Sequence, residues 1–218
     1  MRDASVLEQV TARLFTGVLS DVLDAIGRRE QVADADFVHV VPGVSVVGWA
    51  QTARAVSVTE PPREPYKLLL EAIDLTTAGR VLVLGSPATS ASALFGGLLA
   101  GAVRSAGGAG VVVDGYARDS DEVRASGLPT MVRGFRPLDS YGREEVVEIS
   151  EPVTVGGVTV RQGDLVFGDS DGLVCVPAEV EAEVLQKAFA KVEAEGEMRA
   201  ALASGMSVRT AFATFGVL

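Results

Sequence analysis

Along the chain, the spacing of apolar positions switches several times between helical and strand periods, and the switches mark the elements. From Thr16 to Ile26 (TGVLSDVLDAI), Leu19, Val22, Leu23 and Ile26 recur at helical spacing, so one face of a helix packs inward. Gly27 stands where a helix ends most easily. Phe37–Val41, Val44–Val47 and Ala53–Val58 have strand character and are separated by Pro42-Gly43 and Gly48, which predicts three successive strands. After Pro61, Pro62 and Pro65, helical spacing returns over Tyr66–Ile73, with Leu69, Leu70 and Ile73 on one face. Val81–Leu84 and Gly110–Val113 are short continuous apolar runs with a helical stretch between them, a βαβ pattern whose right-handed crossover makes the two strands parallel. Glu145–Ile149 and Val153–Val160 read as strands, the second folded over Gly156-Gly157 as a hairpin. Arg161–Pro177 carries turns at Gln162-Gly163 and Asp171-Gly172, and from Glu179 the chain is helical and alanine-rich, broken at Gly205.

Strands, then a βαβ unit, then hairpins and a terminal helix predict an α/β layered sandwich with mixed strands rather than a doubly wound sheet. The 218 residues show no composition break, so residues 1–218 are expected to form a single domain. A formal net charge of -10 argues against nucleic acid or an anionic membrane as the partner, because both require a basic face. No apolar run is long enough to span a bilayer and the N-terminus lacks a signal-peptide core, so a cytoplasmic location is expected. Cys175 is the single cysteine and lies within an apolar run, where it reads as a small buried hydrophobe.

His39 is the only histidine and alternates within FVHVV as a structural strand residue. A His-rich zinc site or a Ser-His-Asp triad therefore cannot be assembled without it. Any metal is expected to be hard and oxygen-bound, Mg²⁺ or Mn²⁺. The chain has no Walker A motif and no dinucleotide-binding glycine fingerprint.

Candidate chemistry concentrates between Phe95 and Pro129. A helix starting near Gly96 follows the first strand of the βαβ unit and Arg118-Asp119 follows the second, so both belong to the rim where open α/β sheets bind ligands. Gly96, Gly97, Leu98 and Leu99 would offer helix N-terminal N–H groups to a carboxylate or phosphate, or form only a tight strand-to-helix entry. Asp119 could anchor a divalent cation while Arg118 pairs with a substrate carboxylate and steadies an enolate oxygen. Alternatively, Asp119 or Ser120 caps a helix over Asp121–Ala125 and Arg118 makes a surface ion pair. Asp169-Ser170-Asp171-Gly172 reads as a turn with Asx hydrogen bonds rather than a calcium loop, and Glu193, Glu195 and Glu197 as a solvated helix face.

The run GGLLAGAVRSAGGAGVVVDGYARDSDEVRASGLPTMVRGFRP, with VTVGGVTVRQGDLVFGDSDGLVCVP downstream, resembles the RraA-like superfamily, which includes class II pyruvate aldolases acting on 4-hydroxy-4-methyl-2-oxoglutarate and 4-carboxy-4-hydroxy-2-oxoadipate. The resemblance extends from LSDVLDAIG to the closing FGVL. It implies an α-β-β-α sandwich, a homotrimer or homohexamer with sites between subunits, and metal-dependent cleavage of a small 2-oxo acid to pyruvate. It assigns substrate contact to Arg118, metal binding to Asp119, and carboxylate binding to the backbone of Gly96–Leu99. Glu195, from the terminal helix of an adjacent subunit, is the match for a glutamate that approaches the metal's water shell.

The family's aldolase pattern is a glycine, three residues, an Asp or Glu, then twenty residues before Arg-Asp. Here the first two positions are Ala93 and Gly97. The resemblance therefore admits a pyruvate-forming lyase acting by retro-aldol cleavage or by oxaloacetate decarboxylation. It also admits a non-catalytic regulator of the kind that inhibits ribonuclease E, and a repurposed catalyst whose bulkier substrate fills the space vacated at Gly97.

Overall fold

A computed structural model of the chain describes residues 4–34, 36–87 and 90–217. The chain enters through two helices, α1 (Ala4–Arg13) and α2 (Thr16–Ala25), then passes along a two-residue strand β1 (Val38–His39) into the long strand β2 (Val46–Ser57). Helix α3 (Lys67–Asp74) leads to β3 (Arg80–Gly85), and a short strand β4 (Ala93–Phe95) precedes α4 (Gly97–Ser105). Strand β5 (Gly110–Ala117), helix α5 (Ser120–Ala125) and strand β6 (Thr130–Phe135) follow. The chain then forms β7 (Glu144–Ile149), the hairpin β8 (Val153–Val155) and β9 (Val158–Val160), a second hairpin β10 (Leu165–Asp169) and β11 (Gly172–Val176), and the terminal helices α6 (Glu181–Ala203) and α7 (Val208–Phe215).

Nine strands join one mixed sheet, with β1-β6-β5-β3-β2-β10-β11 in order, β4 added beside β5 and β7 beside β2. The centre is parallel, as the βαβ pattern predicts: β2 runs parallel to β3, β3 to β5, and β5 to β6. The sheet curls. Gly168 on β10 faces Met131 on β6, and a Cβ at Gly168 would lie 3.2 Å from the Met131 Cε. The segment leading into β1 crosses between the two ends of this curl. Its start pairs with β11 through Cys175 N–H to Gln31 O at 2.9 Å and Ala33 N–H to Leu173 O at 2.9 Å, and its end pairs with β6. The two β layers expected of a sandwich are thus one rolled sheet, with the valines of β8 and β9 packed inside it.

Three apolar clusters give the layers. One lies between the sheet and helices α3, α4 and α5, and includes Leu69, Leu82, Leu84, Phe95, Val103 and Val123. Another joins α1, α2 and α6 to β2, β10 and β11. The third fills the inside of the curl with Val83, Val112, Met131, Val166 and Cys175, so Cys175 is a core residue at 2 % exposure. Burial pushes its thiol pKa well above the usual range.

The strand readings at 44–58 need correction. Val46–Ser57 is one twelve-residue strand rather than two strands separated at Gly48. A Cβ on Gly48 would lie 2.7 Å from Gly79 O, so this glycine permits close approach of backbone within the strand. Gly27, by contrast, terminates α2 as expected: at φ 80 it lets Arg28 N–H reach Leu23 O at 2.8 Å. Helix α1 and strands β4 and β6 carry no signal read from the sequence. β4 and β6 are defined by long-range pairing with β5.

Candidate active site

β4 and β5 end side by side, with Phe95 opposite Ala117, and Arg118 N–H extends the pairing to Phe95 O at 2.9 Å. Two helices leave this edge together, α4 from Gly96 and α5 from Asp119. The helix at Gly96 thus follows β4 rather than β3, and the rim predicted from the βαβ unit exists one strand further along.

Gly96 is in extended backbone, a conformation open to any residue. It is required for space, since a Cβ there would lie 2.9 Å from Asp119 Oδ2 and 3.1 Å from Arg118 Cγ. The two halves of the candidate site therefore touch through a missing side chain.

Asp119 occupies the N-cap position of α5 but makes no side-chain cap, which removes the capping role weighed for it. It sits in the left-handed region at φ 54, and its Oδ2 accepts a long hydrogen bond from Gly97 N–H at 3.3 Å across to α4. Such a backbone costs a non-glycine residue on the order of 1–3 kcal/mol. Arg118 lies between two carboxylates, with Nε 3.6 Å from Asp119 Oδ2 and Nη1 3.4 Å from Asp139 Oδ1. Both contacts are long, and Arg118 is 39 % exposed, so they hold it loosely and leave it able to take another anion.

Asp139 and Tyr66 are site residues that sequence reasoning missed. Tyr66 donates its hydroxyl proton to Asp139 Oδ2 at 3.0 Å. Burial, reinforced by that bond, raises the Tyr66 pKa. Tyr66 also has a left-handed backbone, φ 62, so two of the three such non-glycine residues among those described line one cleft. Asp139 arrives because residues 138–140 pair with β4, through Ala93 N–H to Leu138 O at 2.8 Å. That pairing is long-range, and the local pattern Pro137-Leu138-Asp139-Ser140 signals only a loop.

The cleft encloses about 200 Å³. Gly96, Leu98, Leu99, Arg118 and Asp119 all border it, which brings together most of the predicted site. Gly97 lies beside it with its space already filled: a Cβ at Gly97 would meet the Glu122 carboxylate and lie 2.7 Å from Glu122 Cβ. The room that a bulkier substrate would have used is thus occupied by a glutamate from α5. Gly97 N–H turns to Asp119, while no acceptor among the described residues takes the N–H groups of Leu98 and Leu99.

Glu195 is placed elsewhere in the chain, on α6, the helix packed against α1 and α2. It is largely covered at 14 % side-chain exposure and pairs with Arg199 at 3.6 Å, so it is not part of a freely solvated face. Asp114, the first residue of the Asp-Gly-x-x-Arg-Asp core, also lies outside the cleft. It holds Arg133 at 2.5 Å and Gly156 N–H at 2.9 Å, clamping the β8–β9 hairpin to the sheet edge. His39 and Asp169 are structural, as expected. His39 Nε2 bonds Asp169 O at 2.6 Å, and the Asp169 carboxylate takes Thr16 N–H and Oγ1 at the start of α2.

Among the described residues no three His, Cys, Asp or Glu side chains gather to hold a metal. Asp119 is an exposed hard-oxygen donor whose carboxylate accepts, among the described residues, one long hydrogen bond, which fits Mg²⁺ in its usual manner, with one carboxylate and the remaining positions left to substrate and water. It does not fit a closed structural site.

At one edge of a rolled mixed sheet stand an arginine, two partly exposed carboxylates and helix N–H groups, a set of groups that can hold a small anion. The sequence profile of the RraA-like family, described as Aldolase/RraA, matches residues 16–175, and the chain belongs to that family. It is 33 % identical over 154 residues to a Halalkalibacterium halodurans protein provisionally named a 4-hydroxy-4-methyl-2-oxoglutarate aldolase, covering 71 % of this chain and 70 % of that one. An uncharacterized protein from Pseudomonas syringae pv. tomato has the same fold, with a TM-score of 0.85 and 29 % identity over 98 % of this chain and 95 % of that one. Streptomyces coelicolor RraAS2, described as an unusual member of the RNase ES inhibitor RraA protein family, matches with a TM-score of 0.80 and 28 % identity over 91 % of this chain and 98 % of its own. Among the described residues no helix is long and apolar enough to cross a membrane.

Proposed function

We propose that the cleft is the active site of a metal-assisted carbon-carbon lyase that releases pyruvate from a 2-oxo acid. The observation that carries this reading is the convergence of Arg118, Asp119 and the α4 N-terminus on one cleft, with Asp119 held open in a strained backbone. A catalyst gives such strain a purpose, whereas a surface ion pair worth at most about 1 kcal/mol does not.

In the retro-aldol reaction the C3–C4 bond of a 4-hydroxy-2-oxo acid breaks and its electron pair passes to C3 and the 2-oxo oxygen. The 4-hydroxyl proton goes to a base, an aldehyde or ketone leaves, and protonation of the enolate at C3 gives pyruvate. Decarboxylation of oxaloacetate reaches the same enolate with loss of CO₂ and needs no base for a hydroxyl. The N–H groups of Leu98 and Leu99 hold the substrate carboxylate, and Arg118 stabilises the charge that develops on the 2-oxo oxygen. A divalent cation on Asp119, Mg²⁺ or Mn²⁺, would supply further polarisation of that oxygen when bound. Glu122 is the base in this reading. Its carboxylate stands where a side chain at Gly97 would be and has no side-chain partner among the described residues.

The reading includes assembly into a homotrimer or homohexamer, with Glu195 of a neighbouring copy approaching Asp119. Supporting it are Val208 and Phe212 of α7, exposed at 58 % and 48 %. The likeness to RraAS2 favours a second reading, a regulator that binds a ribonuclease, and the two readings differ in one assay. Purified protein is given 4-hydroxy-4-methyl-2-oxoglutarate and oxaloacetate with Mg²⁺, with chelator, and as Arg118→Ala. The lyase reading expects metal-dependent pyruvate release that the variant loses. Release no greater than the chelated control from either compound and from other 4-hydroxy-2-oxo acids would turn the assignment to the regulator.

A further inference from the structure

The walls of the same cleft carry information about what lies beyond the reacting end of the substrate. Leu69, Leu70, Leu94, Phe95, Leu98 and Leu99 all border it. Leu98 is 87 % exposed and Leu70 49 %, so two large apolar side chains stand at the lip. The charged residues lining the cleft are Arg118, Asp119 and Asp139. The guanidinium already lies between the two carboxylates. With a divalent cation added, the charges lining the cleft sum to one net positive charge, which one substrate carboxylate offsets, and the Glu122 carboxylate beside Gly97 adds a further negative charge rather than a cation. A second carboxylate on the substrate would face leucines and Asp139, and would exchange part of its hydration for apolar contacts without gaining a cation.

We infer that the preferred substrate is a monocarboxylic 2-oxo acid with an apolar substituent at C4, such as an alkyl or aryl group, rather than a dicarboxylic acid. This rests on the lyase reading and specifies its substrate class. The one guanidinium and the α4 N–H groups are used on the 2-oxo acid end, and Leu70 and Leu98 cover the substituent. An apolar group of phenyl size placed against these side chains gains about tenfold or more in affinity over a carboxylate there.

The test measures binding and turnover separately. Calorimetric titrations with Mg²⁺ present compare 2-oxo-4-phenylbutanoate with 2-oxoglutarate, on the wild-type protein and on Leu98→Arg. That variant keeps the backbone N–H and adds a cation at the lip. The expected result is tighter binding of the phenyl compound by about tenfold in the wild type, with the preference reduced or reversed in Leu98→Arg. Pyruvate release should follow the same order for 4-hydroxy-2-oxo-4-phenylbutanoate against 4-hydroxy-2-oxoglutarate.

Equal or tighter binding of 2-oxoglutarate by the wild type overturns the inference, while pyruvate release from the dicarboxylate leaves the lyase reading standing. A Leu98→Arg protein that changes its oligomeric state in size-exclusion chromatography without changing its acid preference also overturns it, because the leucines would then be a subunit contact. No binding and no turnover of any of these acids overturns the inference and the lyase reading together.

Discussion

Two aspartates in this chain, Asp164 in the turn before β10 and Asp119 just beyond the end of β5, are treated by the fold in opposite ways. Asp164 is 1 % exposed and its oxygens are fully engaged. Oδ2 accepts Arg161 N–H at 2.8 Å and lies 3.6 Å from the Cys175 thiol, and Oδ1 accepts Ala178 N–H at 2.9 Å. It ties the turn before β10 to the end of β11. The Asp119 side chain is 44 % exposed and accepts one long hydrogen bond among the described residues, and its backbone sits at φ 54. A carboxylate that stabilises a fold has its lone pairs filled and its backbone relaxed. One that is kept for a ligand has lone pairs open and is held in place by its surroundings.

The comparison can be broken from either side. The largest effect is expected at the open carboxylate: Asp119→Ala should lower pyruvate release by about 10³-fold, about 4 kcal/mol of transition-state stabilisation, with the midpoint of urea unfolding changed little. The reverse pattern is expected at Asp164. Replacement by Ala leaves two partly buried N–H donors without their acceptor and should cost about 2 kcal/mol of stability in the same unfolding measurement, while any folded fraction keeps its activity per molecule. Equal losses of stability in the two variants would erase the distinction.

Glu122→Gln sharpens the comparison beside the cleft. Retro-aldol cleavage should fall by about 10²-fold, since the base for the 4-hydroxyl is gone, while decarboxylation of oxaloacetate falls less. A uniform loss for both substrates would make Glu122 a packing residue beside Gly97.

The smallest effect concerns Tyr66. Its pKa is raised by burial and by the bond to Asp139, so the stability it contributes is present below the unfolded-state value of about 10 and declines as pH rises through the higher folded-state value. Thermal unfolding should show the wild type exceeding Tyr66→Phe at neutral pH, and the difference closing above about pH 10.

Much of this is legible in the sequence because it is local. The parallel pair β3 and β5, the hairpin at Gly156-Gly157 and the end of α2 at Gly27 follow from residue type and period. Arg118-Asp119 and Gly96 could be placed on a common rim for the same reason. Gly48 misleads because its meaning is a close approach to Gly79, a residue in another element. Asp139 reaches Arg118 only through pairing of its loop with β4, and Glu122 reaches Gly97 only because α4 and α5 leave the sheet side by side. No period along the chain encodes those meetings.

The central claim is that Asp119 stays open in order to bind a metal together with a 2-oxo acid. The most direct measurement is calorimetric titration of pyruvate into the wild-type protein and Asp119→Ala, with and without Mg²⁺, with folding of both checked by circular dichroism. The account predicts pyruvate binding by the wild type that depends on Mg²⁺ and is absent from a folded Asp119→Ala. Binding that is the same with and without Mg²⁺, or that survives in the variant, would contradict it.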